Sequence, residues 1–359
     1  MSEKVRVAII GCGNISGAHL NGYKPLIEAG KVELAYLIDI IPERAEKRKE
    51  QYGNENTVVL TDYHEMLKDK SVLAVSVCLP NYLHAPVTID CLKAGKQVLC
   101  EKPAAMNLDQ VLEMKKTADE TGHILNIGVV NRFNLGVENL RELVQSGELG
   151  EIYQVYCSFR ANRSIPGMGG WFTTKALSGG GVLIDWGVHF IDLINYIIGN
   201  QPVRTVSAVA HSKLGNPMED YVYERMHAGP PDYNGTYDVE EYVSGLIRTD
   251  GPAINFNGAW AENVASEGSM FVDFLGTKGG AHLKYCDHYT VFTTKDGKLV
   301  QETPDFEIPP MFEKEIAAFV DAAVKNEHIR SNVDEILVTA RMMDAIYESA
   351  ASGREVVLK

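Results

Sequence analysis

Five short apolar runs, each followed by an amphipathic helix-like stretch or a turn, fill the first 128 residues and restrict the fold more than any other feature. The strand-like runs lie at 5–10, 32–38, 73–79, 97–100 and 124–128, with helix-like stretches near 15–29, 42–52, 84–95 and 107–121. Pro42 ahead of the charged run ERAEKRKE, and Asn107 ahead of Leu108-Asp109, are helix start signals. Strands that are apolar along their whole length, alternating with helices, belong in a parallel sheet covered on both faces.

Beyond residue 128 the texture changes. A helix pattern at 135–146 leads to the strand EIYQVYCSFRA, a glycine-rich loop, and a strongly apolar helix at 181–198. Strand-like runs then follow closely at 203–210, 239–248, 252–262, 269–275, 280–294 and 298–303. Turns such as Thr249-Asp250-Gly251 and Lys295-Asp296-Gly297 mark an antiparallel meander. Helix patterns at 311–325 and 333–351 close the chain, and the polar tract 212–237, with four tyrosines, reads as an inserted loop. The expected fold class is α/β: a doubly wound parallel sheet over 1–128, then an α+β domain over 129–359 built on a large, open, mainly antiparallel sheet.

The 359 residues suit two domains, and 45% hydrophobic with 23% charged residues is ordinary for a soluble protein. A net charge of −14 repels nucleic-acid backbones and anionic lipid, which argues against both as partners. The start MSEKVRVAII has no secretory leader pattern, and no apolar run of membrane-span length stands out. Six cysteines without a CxxC pair read as reduced thiols, so the expected compartment is the cytoplasm.

The first turn, VAIIGCGNISGAHL, raises a specific question: does it hold a dinucleotide or only reverse the chain? Gly11 and Gly13 stand where a tight turn and a close backbone approach are needed, and Ser16 stands where the common fingerprint has a third Gly or Ala. The second strand ends in Asp39, the acid expected on the adenosine ribose hydroxyls. Ile40 and Ile41 follow it rather than Arg, so NAD is expected over NADP.

Two further segments carry chemistry. Glu101-Lys102-Pro103 lies just past the carboxyl end of a buried strand, where ligands bind in doubly wound sheets. In GGGVLIDWGVHFIDLINYIIG, Asp185, His189 and Asp192 fall on one face of an apolar helix. A polar stripe there needs partners: a ligand, or an internal His–Asp pair. An acid and a histidine four apart could also share an ion, but no third ligand accompanies them, so no metal is expected.

GCGNIS, Asp39, CLPNYLHAP, GKQVLCEKPAAMN and GGGVLIDWGVHFIDL together resemble the Gfo/Idh/MocA oxidoreductase family, over nearly the whole chain. The resemblance implies catalytic roles for Lys102, Asp185 and His189. It also implies cofactor contacts from Gly11, Gly13, Asn14, Ile15, Asp39, Leu79, Pro80, Asn81, His84, Glu101 and Lys102. A homodimer or homotetramer through the C-terminal sheet is implied as well.

A hydride leaving a secondary alcohol requires loss of the hydroxyl proton, and an imidazole such as His189 suits that transfer. Lys102 would stabilise charge developing on the substrate oxygen. The expected substrate is a sugar, cyclitol or glycoside. Trp171, Trp186 and Tyr242 could stack on a ring face, and Asn131, Arg160 and Arg163 could bond hydroxyls; the tyrosines could equally pack the loop or an interface. Two other readings stay open: a glycoside-cleaving enzyme that retains and recycles NAD, and a non-catalytic nucleotide-binding sensor.

Overall fold

The computed structural model describes residues 4–224, 228–264 and 268–358. The chain divides into two compact units, 1–133 with 309–337, and 134–308 with 338–359.

The first unit begins β1 (Val5–Ile10), α1 (Asn14–Glu28), β2 (Val32–Ile38), α2 (Pro42–Tyr52), β3 (Val58–Leu60) and α3 (Tyr63–Leu67). It continues β4 (Val72–Val77), α4 (Asn81–Lys93), β5 (Gln97–Glu101), α5 (Leu108–Thr121) and β6 (Leu125–Gly128). All six strands are parallel, in the order β3-β2-β1-β4-β5-β6. The order reverses between β1 and β4, so their carboxyl ends open the crevice where such sheets take ligands. β3 and α3 had no counterpart in the sequence reading. Three and five residues are too short to show a period, and the clearest local signal is Asp62, whose carboxylate caps α3 by accepting the His64 N–H at 3.0 Å.

The second unit runs α6 (Leu135–Gln145), β7 (Ile152–Arg160), the short α7 (Lys175–Ser178), α8 (Val188–Ile198), β8 (Val203–His211), β9 (Tyr242–Thr249) and β10 (Ala253–Ala259). β11 (Ser269–Gly276), β12 (Gly279–Lys284), β13 (Tyr289–Lys295) and β14 (Lys298–Glu302) follow. In chain order α9 (Met311–Lys325), which belongs to the first unit, comes next, then α10 (Val333–Ser352), which runs across the 337/338 division, and β15 (Val356–Val357) of the second unit. The nine-stranded sheet has the order β14-β13-β12-β11-β7-β10-β9-β8-β15 and is antiparallel except where β7 meets β10. The single run expected at 280–294 is two strands. The turn between them has no Gly or Pro to announce it; Cys286 supplies the left-handed residue, at φ 57°.

Alternation along these strands separates two faces. Val155, Ile247, Ile254, Phe274 and Ala281 point inward and pack with α8 residues such as Phe190 and Ile194. Tyr156 and Phe292 point to the other face and are 47% and 44% exposed. The segment Lys175–Ile198 is long and apolar enough to cross a membrane, which corrects the expectation that no such run exists. Its most apolar window is 78% buried inside the fold, as a core helix would be. All six cysteines are free thiols, and Cys286 alone of them is exposed.

The expected division at 128/129 left 309–337 with the second domain, whereas this segment packs in the first unit. Its helix α9 places Ile316, Phe319 and Val320 against Val7, Ile9 and Leu34 of the parallel sheet. Phe319 is fully buried there. Replacing it by Ala should cost about 3–5 kcal/mol. Hydrogen exchange should then accelerate in β1 and β2 but stay at parental rates in β9 and β10. Unchanged exchange in β1 and β2 would contradict this packing.

Candidate active site

Gly11 follows β1 with φ 92°, a conformation that only glycine adopts without strain. A Cβ on it would sit 2.2 Å from the Cys78 carbonyl oxygen, so the turn closes directly on the loop after β4. A Cβ on Gly13 would meet nothing within 4 Å. Gly13 is also the N-cap of α1, which has no side-chain cap and no acid in its first turn. Asn14 and Ile15 lie exposed in that turn. Free amides at a helix N-terminus, with open space before them, suit a pyrophosphate.

Ser16 explains its own departure from the fingerprint. It is fully buried, its hydroxyl donates to the Gly13 carbonyl at 2.6 Å, and it accepts from Arg48 Nε at 3.1 Å. Arg48 also donates to the Gly13 carbonyl, at 2.9 Å. The third position is therefore tied to α2 by a side chain. Asp39 accepts the Cys12 N–H at 2.8 Å and the Ile41 N–H at 2.9 Å, one on each oxygen. Each oxygen keeps a further lone pair for a ribose hydroxyl. Burial, with the Asp39 charge beside it, pushes the Cys12 thiol up to about 12, so it is no nucleophile.

At the end of β5, one Glu101 oxygen accepts the Lys102 backbone N–H at 3.0 Å and the other lies 2.7 Å from His19 Nε2. Burial opposes the Glu101 charge, but the His19 hydrogen bond and the nearby His19 and Lys102 charges outweigh it and hold the carboxyl below its ordinary range. Glu101, expected as a cofactor contact, thus has both oxygens engaged within the protein. His84 is similar. Its ring is buried, and its nitrogens lie 2.7 Å from the carbonyl oxygens of Pro103 and Leu79. Burial lowers its pKa against the pull of those carbonyls. It fastens the Lys102-Pro103 segment to the loop carrying Leu79, Pro80 and Asn81.

In the second unit, the glycines before α8 admit close neighbours. A Cβ on Gly180 would fall 2.0 Å from the Tyr347 hydroxyl, and one on Gly181 would fall 1.9 Å from the Glu240 carbonyl oxygen. The Glu240 carboxylate accepts the N–H of Gly181 at 2.9 Å and of Leu183 at 3.1 Å, and the Tyr347 hydroxyl at 3.0 Å. It is the anion that caps this helix. Burial raises its pKa against those donors.

Residues 183–187 form a π-helical turn before α8, a widening often found at functional sites. Asp185, Trp186 and His189 are half-buried around it. The indole N–H of Trp260, itself fully buried, donates to Asp185 at 3.2 Å. The His189 ring meets Tyr285 edge-on, at 6.3 Å between centroids. Asp192 is buried deeper and accepts the Thr339 hydroxyl at 3.3 Å, so it belongs to the core rather than to an open stripe. Among the described residues, no group of three or more His, Cys, Asp and Glu is arranged to hold a metal ion.

The substrate candidates are scattered. Arg160 and Tyr242 point to the sheet face opposite α8 and line an open cleft of ≈ 800 Å³. There Arg160 forms a bidentate pair with Glu262, at 2.7 and 3.0 Å. Arg163 donates to the carbonyls of Asn162 and Glu262 at 2.8 and 2.7 Å, which makes it a loop clasp. Trp171 stacks on Phe172 at 3.8 Å, and Asn131 is buried in the turn 130–133 of the first unit. Of these six residues, Trp186 alone adjoins Asp185 and His189 in the helix. Sequence reasoning missed Glu240, Glu241 and Trp260. Glu241 is buried and accepts the Tyr237 hydroxyl at 2.7 Å and the Leu214 N–H at 3.1 Å, tying down both ends of the inserted tract. Residues 225–227 of that tract lie outside the described residues.

Comparison with known proteins fits this geometry. Residues 5–129 match the model of an oxidoreductase family with an NAD-binding Rossmann fold, and residues 137–282 match the GFO/IDH/MocA C-terminal domain. The D-glucoside 3-dehydrogenase of Escherichia coli (strain K12) is 31% identical, over 99% of this chain and 98% of that protein. An inositol 2-dehydrogenase of Arthrobacter sp. (strain FB24) is 26% identical over 100% and 97%. Among solved structures, levoglucosan dehydrogenase with NADH and levoglucosan superposes with a TM-score of 0.83, at 20% identity over 99% of each chain. The aldose-aldose oxidoreductase from Caulobacter crescentus, complexed with glycerol, gives 0.81 at 24% identity, over 99% of this chain and 100% of that one.

The two glycines should separate folding from cofactor binding. Gly11→Ala should lower stability by about 1–3 kcal/mol through backbone strain and the clash at Cys78, and abolish NAD binding. Gly13→Ala should melt like the parent yet bind NAD at least tenfold more weakly, because its methyl enters the open space before α1. Thermal melts with fluorescence titration of NAD check both, and parental affinity in Gly13→Ala would contradict the assignment.

Proposed function

The chain belongs to the Gfo/Idh/MocA oxidoreductase family, and on that premise we propose that it transfers a hydride between a secondary hydroxyl of a sugar, cyclitol or glycoside and NAD. The observation that carries this reading is the pair of held segments: Lys102 fixed through Glu101, and Asp185 with His189 on a helix fixed through Glu240 and Trp260. When bound, the nicotinamide supplies the hydride acceptor. His189 takes the hydroxyl proton and returns it in the reverse direction. Lys102 stabilises the charge that grows on the substrate oxygen. Asp185, which accepts the Trp260 indole N–H, orients the substrate hydroxyl or His189.

Asp39 sets the cofactor preference. Its carboxylate would accept ribose hydroxyls and repel a 2′-phosphate, so NAD should bind more tightly than NADP. Asp39→Ala should narrow that difference. Calorimetric titration of both cofactors tests this, and a parental preference for NADP would sink it.

The second assignment is catalytic. His189→Ala should lower kcat by on the order of 10²- to 10⁴-fold with NAD affinity nearly unchanged, and the acid limb of the pH–rate profile should weaken. Lys102→Arg should not restore the rate of Lys102→Ala, since a planar fork does not replace a point charge. A panel of sugars, cyclitols and glycosides, read by NADH formation, identifies the substrate. Near-parental turnover of His189→Ala on that substrate would refute the proton role.

The open face of the nine-stranded sheet, with Tyr156 and Phe292 upon it, supports a homodimer or homotetramer formed through this face. Light scattering at micromolar concentration should give a multiple of the chain mass, and a strictly monomeric species would contradict it.

A further inference from the structure

Beneath the Lys102 segment lies a set of buried groups that the hydride-transfer chemistry does not use. His19 on α1 is fully buried; its Nε2 meets Glu101, while its Nδ1 has no hydrogen-bond partner among the described residues. Glu315 on α9 is also fully buried, and neither of its carboxyl oxygens has such a partner. The two helices touch at this level. The ring of Phe312, one turn before Glu315, lies 5.8 Å from that of His19. A Cβ on Gly22 would come within 2.6 Å of the Phe312 carbonyl oxygen, so no side chain separates the backbones.

An unpaired carboxylate in such a place is very costly, and a buried carboxyl with no partner keeps its proton instead. Burial, reinforced by the negative charge of Glu101, moves Glu315 well above the ordinary carboxylate range. Of the other titratable groups facing this cluster, Lys102 carries a positive charge, which acts on Glu101; what moves Glu315 is burial and the Glu101 charge. Tyr23 on α1 bonds Ser76 at 2.9 Å, and Cys78 after β4 is buried; burial raises both. His84 on α4 also lies within electrostatic reach of Glu101, and burial lowers its pKa.

We propose that Glu315 is held as a neutral carboxylic acid and that, with His19, it is a positioning residue for Lys102. A neutral Glu315 leaves Glu101 as the one anion in this interior. Glu101 then stays ionised, bonded to His19 through one oxygen, and with the other fixes the backbone from which the Lys102 side chain springs. The positioning half of this proposal rests on the catalytic reading of Lys102; the protonation half does not.

Stability against pH tests the protonation. Between the unfolded carboxyl value of 4.5 and its raised folded value, Glu315 binds its proton more tightly in the folded chain. Its contribution therefore lowers stability as pH rises through that window. Glu315→Gln and Glu315→Met remove the term. Both should melt near the parent at pH 4 and at progressively higher temperature than the parent toward pH 8. Variants less stable than the parent at pH 8, with the deficit vanishing at pH 4, would show a charged Glu315 and overturn the proposal.

Turnover tests the positioning, read with whichever member of the sugar panel reduces NAD. His19→Leu removes the donor to Glu101 and should lower kcat about tenfold or more with KM within about threefold, since small misplacements are costly. The acid limb should also move to higher pH, because Glu101 then titrates higher. His19→Gln, whose amide can donate to Glu101, should recover most of the rate. Parental kcat and pH profile in His19→Leu would overturn it. If no sugar reduces NAD, the hydride-transfer reading fails while the melting series still decides the state of Glu315.

Discussion

Carboxylate oxygens accepting backbone N–H groups hold the segments that carry the proposed site residues. Asp39 takes the amides of Cys12 and Ile41, Glu101 that of Lys102, Glu240 those of Gly181 and Leu183, and Glu241 that of Leu214. A loop at a strand end or helix start has amides without secondary-structure partners, and an anion satisfies them with charge-assisted bonds. The same bonds compensate the acids for leaving water. Each side chain therefore fixes a loop conformation: Asp39 the turn after β1, Glu241 the start of the inserted tract, Glu101 the backbone of Lys102, and Glu240 the start of the Asp185–His189 helix.

Periodicity and punctuation made most of the fold legible, because both are local. The ends of β1, β2 and α2 follow directly from the apolar runs and Pro42, and Gly11, Gly13 and Asp39 were recognisable from their order along the chain. What stayed hidden depends on encounters between distant residues. Trp260 lies far from Asp185 in sequence, and nothing around it announces an indole N–H aimed at a carboxylate. Glu240-Glu241 looks like an ordinary acidic pair until one is found capping a helix and the other gripping a loop. The Asp185–His189–Asp192 stripe assumed a uniform α-helical period, which the π-helical turn at 183–187 interrupts.

Arg160 and Tyr242 illustrate a different limit. Both residue types suit sugar binding, but adjacent positions on a strand face opposite ways. Phe159 points inward, stacking on Phe190 of α8 at 5.1 Å, so Arg160 must point outward to Glu262. One residue of register separates the face that carries α8 from the face left open. Residue chemistry alone does not tell these faces apart; the parity of the strand does.

The return of α9 to the parallel sheet bears on how the chain is made. Val7, Ile9 and Leu34 leave the ribosome early, whereas Ile316, Phe319 and Val320, which cover them, emerge only after eight of the nine strands of the second sheet, all but β15, have been synthesised. The first unit therefore cannot complete its core during its own translation. Its apolar flank must wait, shielded by collapse or by chaperones, until nearly the entire chain is available. The two units are compact in space but interleaved in time: the N-terminal one waits for 309–337, and the other then waits for 338–359.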